Sequence, residues 1–353
     1  MRVLYFGPIA EEGKPAGGGY EAANRKNIDK LRQYGVEVIE FPNPRINYKM
    51  GLLGKLTYIK LLFTPFVLLK YKGIEDVIIH HTPLYDNLII PSLWLLWMAN
   101  SLHIRILIDI RAGSLIENAK TKSGIWRKSV RYMLNKASLI TVEGKSYLHD
   151  IPSVFNINRK ICYFPNLAEC ENHIYIPRTH DKINMIYFGR ITKLKGVDLL
   201  LKMMSLLDNR FHLYLAGGIA DDMEHKLFRI DGVTYLGMLT PSDLKKVLHK
   251  MHIFLFPTKW PGEGQSNSLI EAMQDGLIPV VSNQGFNEDV VADCGVILPS
   301  NSTEYDYRDA VLKVVANNLD EQGGKATKHI IKYHNINDWI PWLINQYKII
   351  LEE

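Results

Sequence analysis

Twelve short apolar runs divide this sequence, and stretches of helical period separate most of them. The runs are 2–6, 36–41, 76–80, 105–110, 139–142 and 160–164 in the first half, and 184–188, 212–216, 233–236, 253–257, 278–282 and 295–298 in the second. Several are continuously apolar, which is typical of parallel strands covered on both faces. Strand–helix alternation predicts a doubly wound α/β fold, and two series of similar length predict two Rossmann-like domains.

The length of the chain agrees with two domains, because 353 residues exceed the roughly 150 residues of a typical single domain. The stretch 166–181 has no clean period and contains Pro177. We therefore predict an N-terminal domain over 1–167, a C-terminal domain over 168–335 and a terminal helix over 336–353. The helix is indicated by apolar residues at a roughly helical period, namely Trp339, Trp342, Leu343, Tyr347 and Ile350.

Composition narrows the class of protein. Hydrophobic residues make up 47% and charged residues 22% of the chain, a globular balance that excludes a disordered or coiled-coil protein. The three cysteines, Cys162, Cys170 and Cys294, have no CxxC spacing, so we expect a reducing compartment and neither disulfides nor structural zinc. The N-terminal apolar run is too short for a signal peptide. No apolar run is close to the length of a membrane-spanning helix, which is about 20 residues. These features predict a cytoplasmic protein.

Charge is distributed unevenly along the chain. Residues 1–180 carry 24 Lys/Arg and 15 Asp/Glu, a net charge of +9, whereas the remainder carry 18 and 22, a net charge of −4. A basic first half favours an acidic partner there, either nucleic acid or anionic lipid. Because no aromatic platform is interleaved with the cations, we predict no nucleic-acid binding.

A glycine-rich loop follows the first predicted strand. Gly17, Gly18 and Gly19 lie between that strand and a helical pattern, where backbone N–H groups can approach an anion. The spacing Gly17-x-Gly19-x-x-Ala22 also resembles a dinucleotide fingerprint, but about ten loop residues intervene where the fingerprint has a tight turn. A flexible surface loop is the alternative interpretation.

A second loop carries two cations, Arg190 and Lys195, between a strand that ends at Gly189 and a helix that opens near Gly196. Ligands of open α/β sheets bind at this carboxyl end of the strands. Arginine offers a bidentate fork and lysine a point charge, a pair that suits a diphosphate. The alternative is a solvated basic loop.

A third candidate is the segment 261–272, with the sequence PGEGQSNSLIEA. Ser266 or Asn267 can cap a helix there, and the free N–H groups and dipole of its first turn favour an anion. Glu263 lies just before this helix and Glu271 lies inside it. Both carboxylates are suited to a polyhydroxylated ligand, although two acids eight positions apart are common by chance.

Taken in order, these elements resemble one family. The Gly-rich loop, the segment FGR…K.KGVDLLL, the E-x7-E spacing of Glu263 and Glu271 and the segment EAMQDGLIPVVSNQGFNEDVV are similar to the family 4 retaining glycosyltransferases of the GT-B fold, the glycosyl transferases group 1. YFPN at 163–166 resembles the family's linker motif, and LAGG at 215–218 its glycine-rich strand end. The resemblance implies two Rossmann-like domains that face across a cleft, an N-terminal one for the acceptor and a C-terminal one for the nucleotide sugar. It also implies that the last helix crosses back to the N-terminal domain.

The resemblance implies roles for individual residues. Arg190 and Lys195 would neutralise the donor diphosphate of a UDP- or GDP-sugar, Glu271 would hold the ribose, and Glu263 would contact the donor sugar near the reacting carbon. The backbone N–H groups of Ser266, Asn267 and Ser268 would bind the diphosphate, and Gly18 and Gly19 would close over it from the N-terminal domain. The nucleobase would lie near Gly237, Met238 and Leu239. Since no Asp-x-Asp motif occurs, we expect no metal and no other cofactor, with the cations in the metal's role.

The N-terminal domain departs from the family, which often has a histidine at the end of a central strand. Here that strand, 106–110, continues into Arg111, so Asp109 and Arg111 become candidates for contact with acceptor or sugar. His80 and His81 end the preceding strand; they face the cleft, or one is packed and the other solvated. The catalytic candidates are thus Glu263, Arg190, Lys195, Asp109, Arg111 and His81.

Two segments of the N-terminal domain combine cations with apolar residues. The segment 48–72 contains five lysines and no acid, with an apolar helix predicted over 52–69 that Pro65 should kink or break. A helix is also predicted over 123–137. Its apolar stripe is Ile125, Trp126, Val130, Met133, Leu134 and Ala137, and its cations are Arg127, Lys128 and Arg131. Both segments fit either a packed helix with a solvated face or peripheral contact with an anionic membrane.

We therefore predict a retaining hexosyltransferase at the inner face of the cytoplasmic membrane. It would move sugar from a nucleotide-diphosphate sugar to a sugar or lipid-linked acceptor in cell-surface polysaccharide biosynthesis, such as O-antigen, capsule or exopolysaccharide. The alternatives are a GT-B sugar-nucleotide epimerase and a non-catalytic sugar-nucleotide-binding protein. A nicotinamide dehydrogenase has only the glycine spacing in its favour. The motifs do not specify the sugar, the base, the acceptor or the oligomeric state.

Overall fold

The computed structural model describes residues 1–13, 17–43, 58–85, 89–171, 174–179, 181–223 and 230–353. The chain divides into two compact units, the first formed by Met1–Pro165 with Ile336–Glu353 and the second by Asn166–Asn335. Each of the twelve predicted runs forms a strand whose ends lie within one residue of the expected positions. The prediction of a doubly wound α/β fold is confirmed.

The first unit is built on a parallel six-stranded sheet. Its strands are β1 (Arg2–Gly7), β2 (Glu37–Pro42), β3 (Val77–His81), β4 (Arg105–Ile110), β5 (Leu139–Val142) and β6 (Ile161–Tyr163). The helices between them are α1 (Gly19–Gln33), a 3-10 helix (Thr64–Tyr71), α2 (Ile89–Ser101), α3 (Leu115–Thr121), α4 (Gly124–Asn135) and α5 (Tyr147–Phe155). The strand order β2-β1-β3-β4-β5-β6 reverses between β1 and β3, so a crevice opens at the carboxyl ends of these two strands.

The second unit repeats this plan. Its strands are β7 (Ile183–Phe188), β8 (Phe211–Ala216), β9 (Val233–Gly237), β10 (Ile253–Phe256), β11 (Ile278–Ser282) and β12 (Val296–Leu298). Its helices are a 3-10 turn (Lys193–Lys195), α6 (Val197–Met204), α7 (Pro241–Leu248), α8 (Asn267–Gln274), α9 (Asn287–Val291), α10 (Glu304–Val315) and α11 (Leu319–Tyr333). The order β12-β11-β10-β7-β8-β9 reverses between β7 and β10, which places the loops after these two strands side by side.

The last helix, α12 (Ile336–Glu352), belongs to the first unit. Its Leu343 and Tyr347 are fully buried, and the Trp342 ring stacks on Phe164 with 5.8 Å between ring centroids. The apolar period read from the sequence therefore marks the face that packs against the first sheet.

The two basic segments are partly described. Residues 48–57 lie outside the described residues, and 58–63 form an α-helix that changes to the 3-10 helix where Pro65 enters its first turn. In α4, Val130, Met133 and Leu134 are buried as the apolar stripe requires, but Ile125 is 79% exposed because it lies in the first turn, beyond the packed part of the helix. Among the described residues, no helix is both long enough and apolar enough to cross a bilayer.

Candidate functional site

The loop after β7 carries the two predicted cations and is held by local bonds. Thr192 caps the 3-10 turn by accepting a hydrogen bond from the Lys195 backbone N–H at 3.1 Å. Gly196 then adopts φ of 73°, and a Cβ at this position would lie 2.3 Å from the carbonyl oxygen of Pro257. Only glycine therefore lets α6 begin so close to the end of β10.

Lys195 and Glu263 form the centre of this site. The Lys195 Nζ lies 2.5 Å from Glu263 Oε2, and their side chains are 19% and 10% exposed. Thr258, which is fully buried, donates its hydroxyl to the same carboxylate oxygen at 2.8 Å. The Lys195 ammonium also lies 5.2 Å from the centroid of the Phe256 ring, a distance at which the ring face attracts a cation. These contacts hold a cation and a carboxylate at the switch point between β7 and β10.

The turn that carries Glu263 rests on the loop after β11. Gly285 has φ of 64°, and a Cβ there would lie 2.3 Å from the Glu263 carbonyl oxygen. The neighbouring Phe286 N–H donates to the carbonyl oxygen of Gly264 at 3.3 Å. A larger residue at 285 would displace the turn, so this glycine sets the position of the carboxylate.

The N-terminus of α8 follows directly. Ser266 is the N-cap and accepts a hydrogen bond from the Leu269 N–H at 3.4 Å, and its hydroxyl lies 2.8 Å from that of Ser268. Asn267 is the first helical residue, and Glu271 lies one turn further, half-buried. The first-turn N–H groups and the helix dipole make this end of α8 suited to an anion.

The remaining predicted contacts of this unit lie at the same edge of the sheet. The Arg190 side chain is exposed, while its carbonyl oxygen accepts a hydrogen bond from the Tyr187 hydroxyl at 2.6 Å. Two strands along, the turn of Gly237, Met238 and Leu239 is joined to the end of β8, where the Gly217 N–H donates to the Gly237 carbonyl at 2.8 Å. Met238 is 77% exposed, so this turn presents an apolar side chain to solvent.

The candidates of the first unit form a different kind of cluster. Asp109 is fully buried at the end of β4 and accepts hydrogen bonds from Arg111 Nε at 2.7 Å and from the Thr141 hydroxyl at 2.8 Å. His80 Nε2 lies 3.6 Å from the same carboxylate, and His80 Nδ1 lies 2.6 Å from the Tyr347 hydroxyl of α12. The predicted Asp109 and Arg111 are thus brought together as a buried ion pair.

Burial and charge act against each other on these groups. Burial raises the pKa of the Asp109 carboxyl, but the Arg111 cation and His80 outweigh it and hold that pKa below its ordinary value. Burial lowers the pKa of His80 despite the opposing effect of Asp109. Burial also lowers the pKa of His81 to about 4, although its bond to Phe6 acts in the other direction. The carboxylate is therefore charged and both histidines are neutral near pH 7.

The expectation that one of the paired histidines is solvated is wrong. His80 and His81 are both buried, because β3 is an inner strand that is covered on both faces. His81 Nδ1 lies 3.2 Å from the Phe6 carbonyl oxygen, which can only accept, so Nδ1 carries the proton and Nε2 is the unprotonated nitrogen. That Nε2 is buried without a hydrogen-bond partner among the described residues.

Gly18 and Gly19 lie at the start of α1. Gly18 is the N-cap in an extended conformation, Gly19 is the first helical residue, and the Gly17 N–H donates to the Glu21 carboxylate at 2.7 Å. Residues 14–16 of this loop lie outside the described residues. The roles predicted for Gly18 and Gly19 stay predictions.

Sequence reasoning missed several polar residues of both clusters. Thr258 holds the Glu263 carboxylate, and Glu143 is buried at the end of β5. Burial lowers the pKa of Arg111, but the nearby carboxylates of Asp109 and Glu143 outweigh it and raise that pKa. Tyr347 was read as a core residue, although its hydroxyl contacts His80 across 267 positions of sequence. Thr258 and Glu143 do follow predicted strands directly, which is the one sequence signal that could have identified them.

Comparison with known proteins adds to this geometry. Residues 182–317 match the family described as "Glycosyl transferases group 1". An uncharacterized glycosyltransferase of Methanocaldococcus jannaschii is 28% identical over 184 residues, which cover 49% of this chain and 45% of that protein. An uncharacterized glycosyltransferase of Bacillus subtilis is 29% identical over 137 residues, 36% of this chain and 38% of that protein. The chain thus matches less than half the length of these curated relatives.

Solved structures resemble the whole chain. Anabaena HepE, determined in complex with UDP, has a TM-score of 0.72 at 12% identity, covering 99% of this chain and 100% of that one. Sucrose-phosphate synthase from Thermosynechococcus elongatus has a TM-score of 0.74 at 14% identity and covers 100% of both chains. At such identities the likeness shows the fold alone, which is that of GT-B glycosyltransferase structures. The family match lies within the second unit, and both units share the fold of GT-B glycosyltransferase structures.

Proposed function

We propose that this protein transfers a sugar from a nucleotide-diphosphate sugar, with UDP or GDP as the leaving group, to a sugar or lipid-linked acceptor. The observation that carries the proposal is the Lys195–Glu263 pair, 2.5 Å apart at the switch point of the second sheet and directly before the N-terminus of α8. A cation, a carboxylate and the first-turn N–H groups of a helix at one place match the diphosphate and the hydroxyls of such a donor.

The proposed chemistry needs positive charge at the departing diphosphate. Arg190 is exposed on the same loop as Lys195, so two cations and the α8 dipole are available to stabilise negative charge as the sugar–phosphate bond breaks. We propose that these groups act without a metal ion. Glu271 would bind the ribose hydroxyls, and Gly237, Met238 and Leu239 would lie along the nucleobase.

Retention of anomeric configuration and an acceptor in cell-surface polysaccharide synthesis are part of the same proposal. They rest on the resemblance of the motif order to retaining glycosyltransferases. Proton NMR of the product, from the coupling constant of the transferred sugar's anomeric proton, tests retention. An inverted product would contradict it.

The experiment that tests the donor assignment is a binding panel of UDP, GDP, ADP and NAD, each with and without magnesium, read as thermal shifts of the full chain. A ligand at 100 times its Kd stabilises the folded state by about 2.7 kcal/mol. We expect a shift with one nucleoside diphosphate that is independent of magnesium. A shift with NAD alone, or with no nucleotide, would contradict the proposal.

A second assay distinguishes transfer from the alternative reactions. The protein is incubated with the sugar nucleotide that binds, with and without candidate acceptor glycans, and the products are separated by chromatography. Transfer requires an acceptor and releases the nucleoside diphosphate. Conversion to an epimeric sugar nucleotide without acceptor would identify an epimerase, and binding without any product would identify a sugar-nucleotide-binding protein.

A further inference from the structure

One face of the first unit exposes large aromatic and aliphatic side chains that touch one another. This aromatic surface consists of Phe63, Phe66, Trp94, Trp97, Ile125 and Tyr132. The Phe63 and Phe66 rings lie 6.0 Å apart, Phe66 and Trp94 5.9 Å, and Trp94 and Trp97 5.0 Å, measured between centroids. The chain of contacts joins the 3-10 helix to α2.

A groove extends this surface from α2 to α4. It encloses about 510 Å³, and its lining includes Trp94, Trp97, Ile125 and Tyr132. Phe63 is 64%, Trp97 52% and Ile125 79% exposed. Apolar side chains this large and contiguous are unfavourable in water, and such patches mark surfaces that bind a partner or a membrane.

The charged residues within the segments that carry the aromatic surface have one sign. The segments 58–72, 89–101 and 120–136 contain nine Lys/Arg and no Asp/Glu. Lys128 lines the groove itself, and the Lys136 ammonium lies 5.8 Å from the centroid of the Tyr132 ring. Lys60, Arg127 and Arg131 are exposed beside the apolar residues. The surface therefore combines an apolar centre with a cationic border.

This combination matches an anionic bilayer better than a folded protein. Tryptophan, tyrosine and phenylalanine enter the boundary between headgroups and acyl chains, while lysine and arginine stay at the phosphates. A second copy of this chain would bring the same cations against one another. Charge complementarity therefore favours a sheet of anionic headgroups, which meets the cationic border and the aromatic centre at once.

We propose that the aromatic surface docks the first unit on an anionic membrane. The inference deepens the proposed function by naming the surface that would bring the enzyme to a lipid-linked acceptor, and in that respect it rests on that function. Binding to the membrane itself needs no donor or acceptor, so it is measured separately from sugar transfer.

The test is sedimentation of the full chain with vesicles of phosphatidylcholine containing about one-third phosphatidylglycerol, compared with vesicles of phosphatidylcholine alone. We expect binding to the anionic vesicles only, weakened by high salt because the charge attraction is screened. The double variant Ile125→Ser with Lys128→Glu should weaken that binding by about tenfold or more. Its matched control is Leu312→Ser with Lys313→Glu, an exposed apolar residue and a cation on α10, which should bind like the wild type.

Three outcomes would overturn this inference. They are the absence of vesicle binding, equal binding to both kinds of vesicle, and unchanged binding by the Ile125/Lys128 variant. Light scattering measures the oligomeric state and so tests the other possible occupant, a second copy of this chain. A wild-type dimer that the variant converts to a monomer would assign the surface to that second copy. Binding of UDP and of GDP by the wild type and the same variants is measured in parallel. A variant that loses vesicle binding but retains nucleotide binding agrees with both proposals. Vesicle binding by a wild type that binds neither nucleotide would contradict only the proposed function.

Discussion

The two units place a carboxylate and a cation at the same edge of similar sheets, but they bury them to different degrees. In the first unit Asp109 and Arg111 are 0% and 2% exposed, and each serves as the other's partner. In the second unit Lys195 and Glu263 are 19% and 10% exposed, and Arg190 beside them is exposed. A fully desolvated pair is costly to break because either charge would be left buried alone, whereas a pair that water reaches can exchange its partner for a ligand. Burial, more than residue type, separates the two roles.

The largest expected effect is on the stability of the first unit. Asp109→Ala leaves the Arg111 charge buried without its nearest carboxylate, which should lower the free energy of unfolding by about 3–5 kcal/mol. Urea unfolding followed by circular dichroism measures the change. Asp208→Ala is the matched control, because Asp208 and Arg210 have the same spacing and lie 2.9 Å apart on the surface. That variant should unfold like the wild type, and equal losses from both variants would contradict the comparison.

The next effect is a loss of stability of the first unit at low pH. His81 has a pKa of about 4 when folded, below its ordinary 6.5, so the unfolded chain binds a proton that the folded chain excludes. The contribution of His81 to the free energy of unfolding is fully present above pH 6.5. About 3 kcal/mol of it is lost as the pH falls from 6.5 to 4.

Tryptophan fluorescence reports this change selectively. Of the six tryptophans only Trp260 lies in the second unit, so a Trp260→Phe background follows the first unit alone. His80 shifts in the same direction, so the contribution of His81 is read from the difference between this background and the same chain with His81→Asn. If the two lose stability in parallel from pH 7 to pH 4, the assignment to His81 is wrong.

In the second unit we expect Glu263→Gln to act on turnover. The substitution keeps the size of the side chain but removes the negative charge that pairs with Lys195 and would face the donor sugar. Release of nucleoside diphosphate in the presence of acceptor should fall by about 100-fold, while nucleotide affinity changes little. A fall in affinity as large as the fall in turnover would place Glu263 at the nucleotide instead of at the sugar.

Lys195→Ala should mainly weaken nucleotide binding. Loss of one charge-assisted contact to the diphosphate corresponds to a roughly 10- to 100-fold higher Kd, measured by titration calorimetry. Lys202→Ala on α6, an exposed lysine on the next helix, is the control and should leave the Kd unchanged. Similar Kd values for both variants would remove Lys195 from the binding site.

The smallest effect compares two helix caps of the same unit. Ser266→Ala and Thr303→Ala each remove a side chain that caps the first turn of a helix, at a cost of about 1 kcal/mol in stability. Only Ser266 lies beside Glu263, so only Ser266→Ala should also raise the Kd for nucleotide. Equal effects on nucleotide binding would show that the N-terminus of α8 has no special role.

The fold was predictable because its signal is spread over many residues. Each strand is marked by three or more apolar positions, so single polar residues such as His80 did not hide the pattern. Loops with glycines and cations after strands pointed to Arg190, Lys195 and Glu263 because parallel strands end at one edge. The buried cluster of the first unit was harder, since the contact of Tyr347 with His80 depends on tertiary packing that no local spacing records. The direct bond between Lys195 and Glu263 was missed for the same reason.

The central claim is that the nucleotide site lies in the second unit. Hydrogen exchange of the full chain, with and without a saturating concentration of the nucleoside diphosphate that binds, tests it most directly. We predict slower exchange in peptides that cover 189–196 and 262–271, and unchanged exchange over 105–111, where the charges are already paired. Protection over 105–111 alone, or no protection in the second unit although the nucleotide binds, would contradict the account.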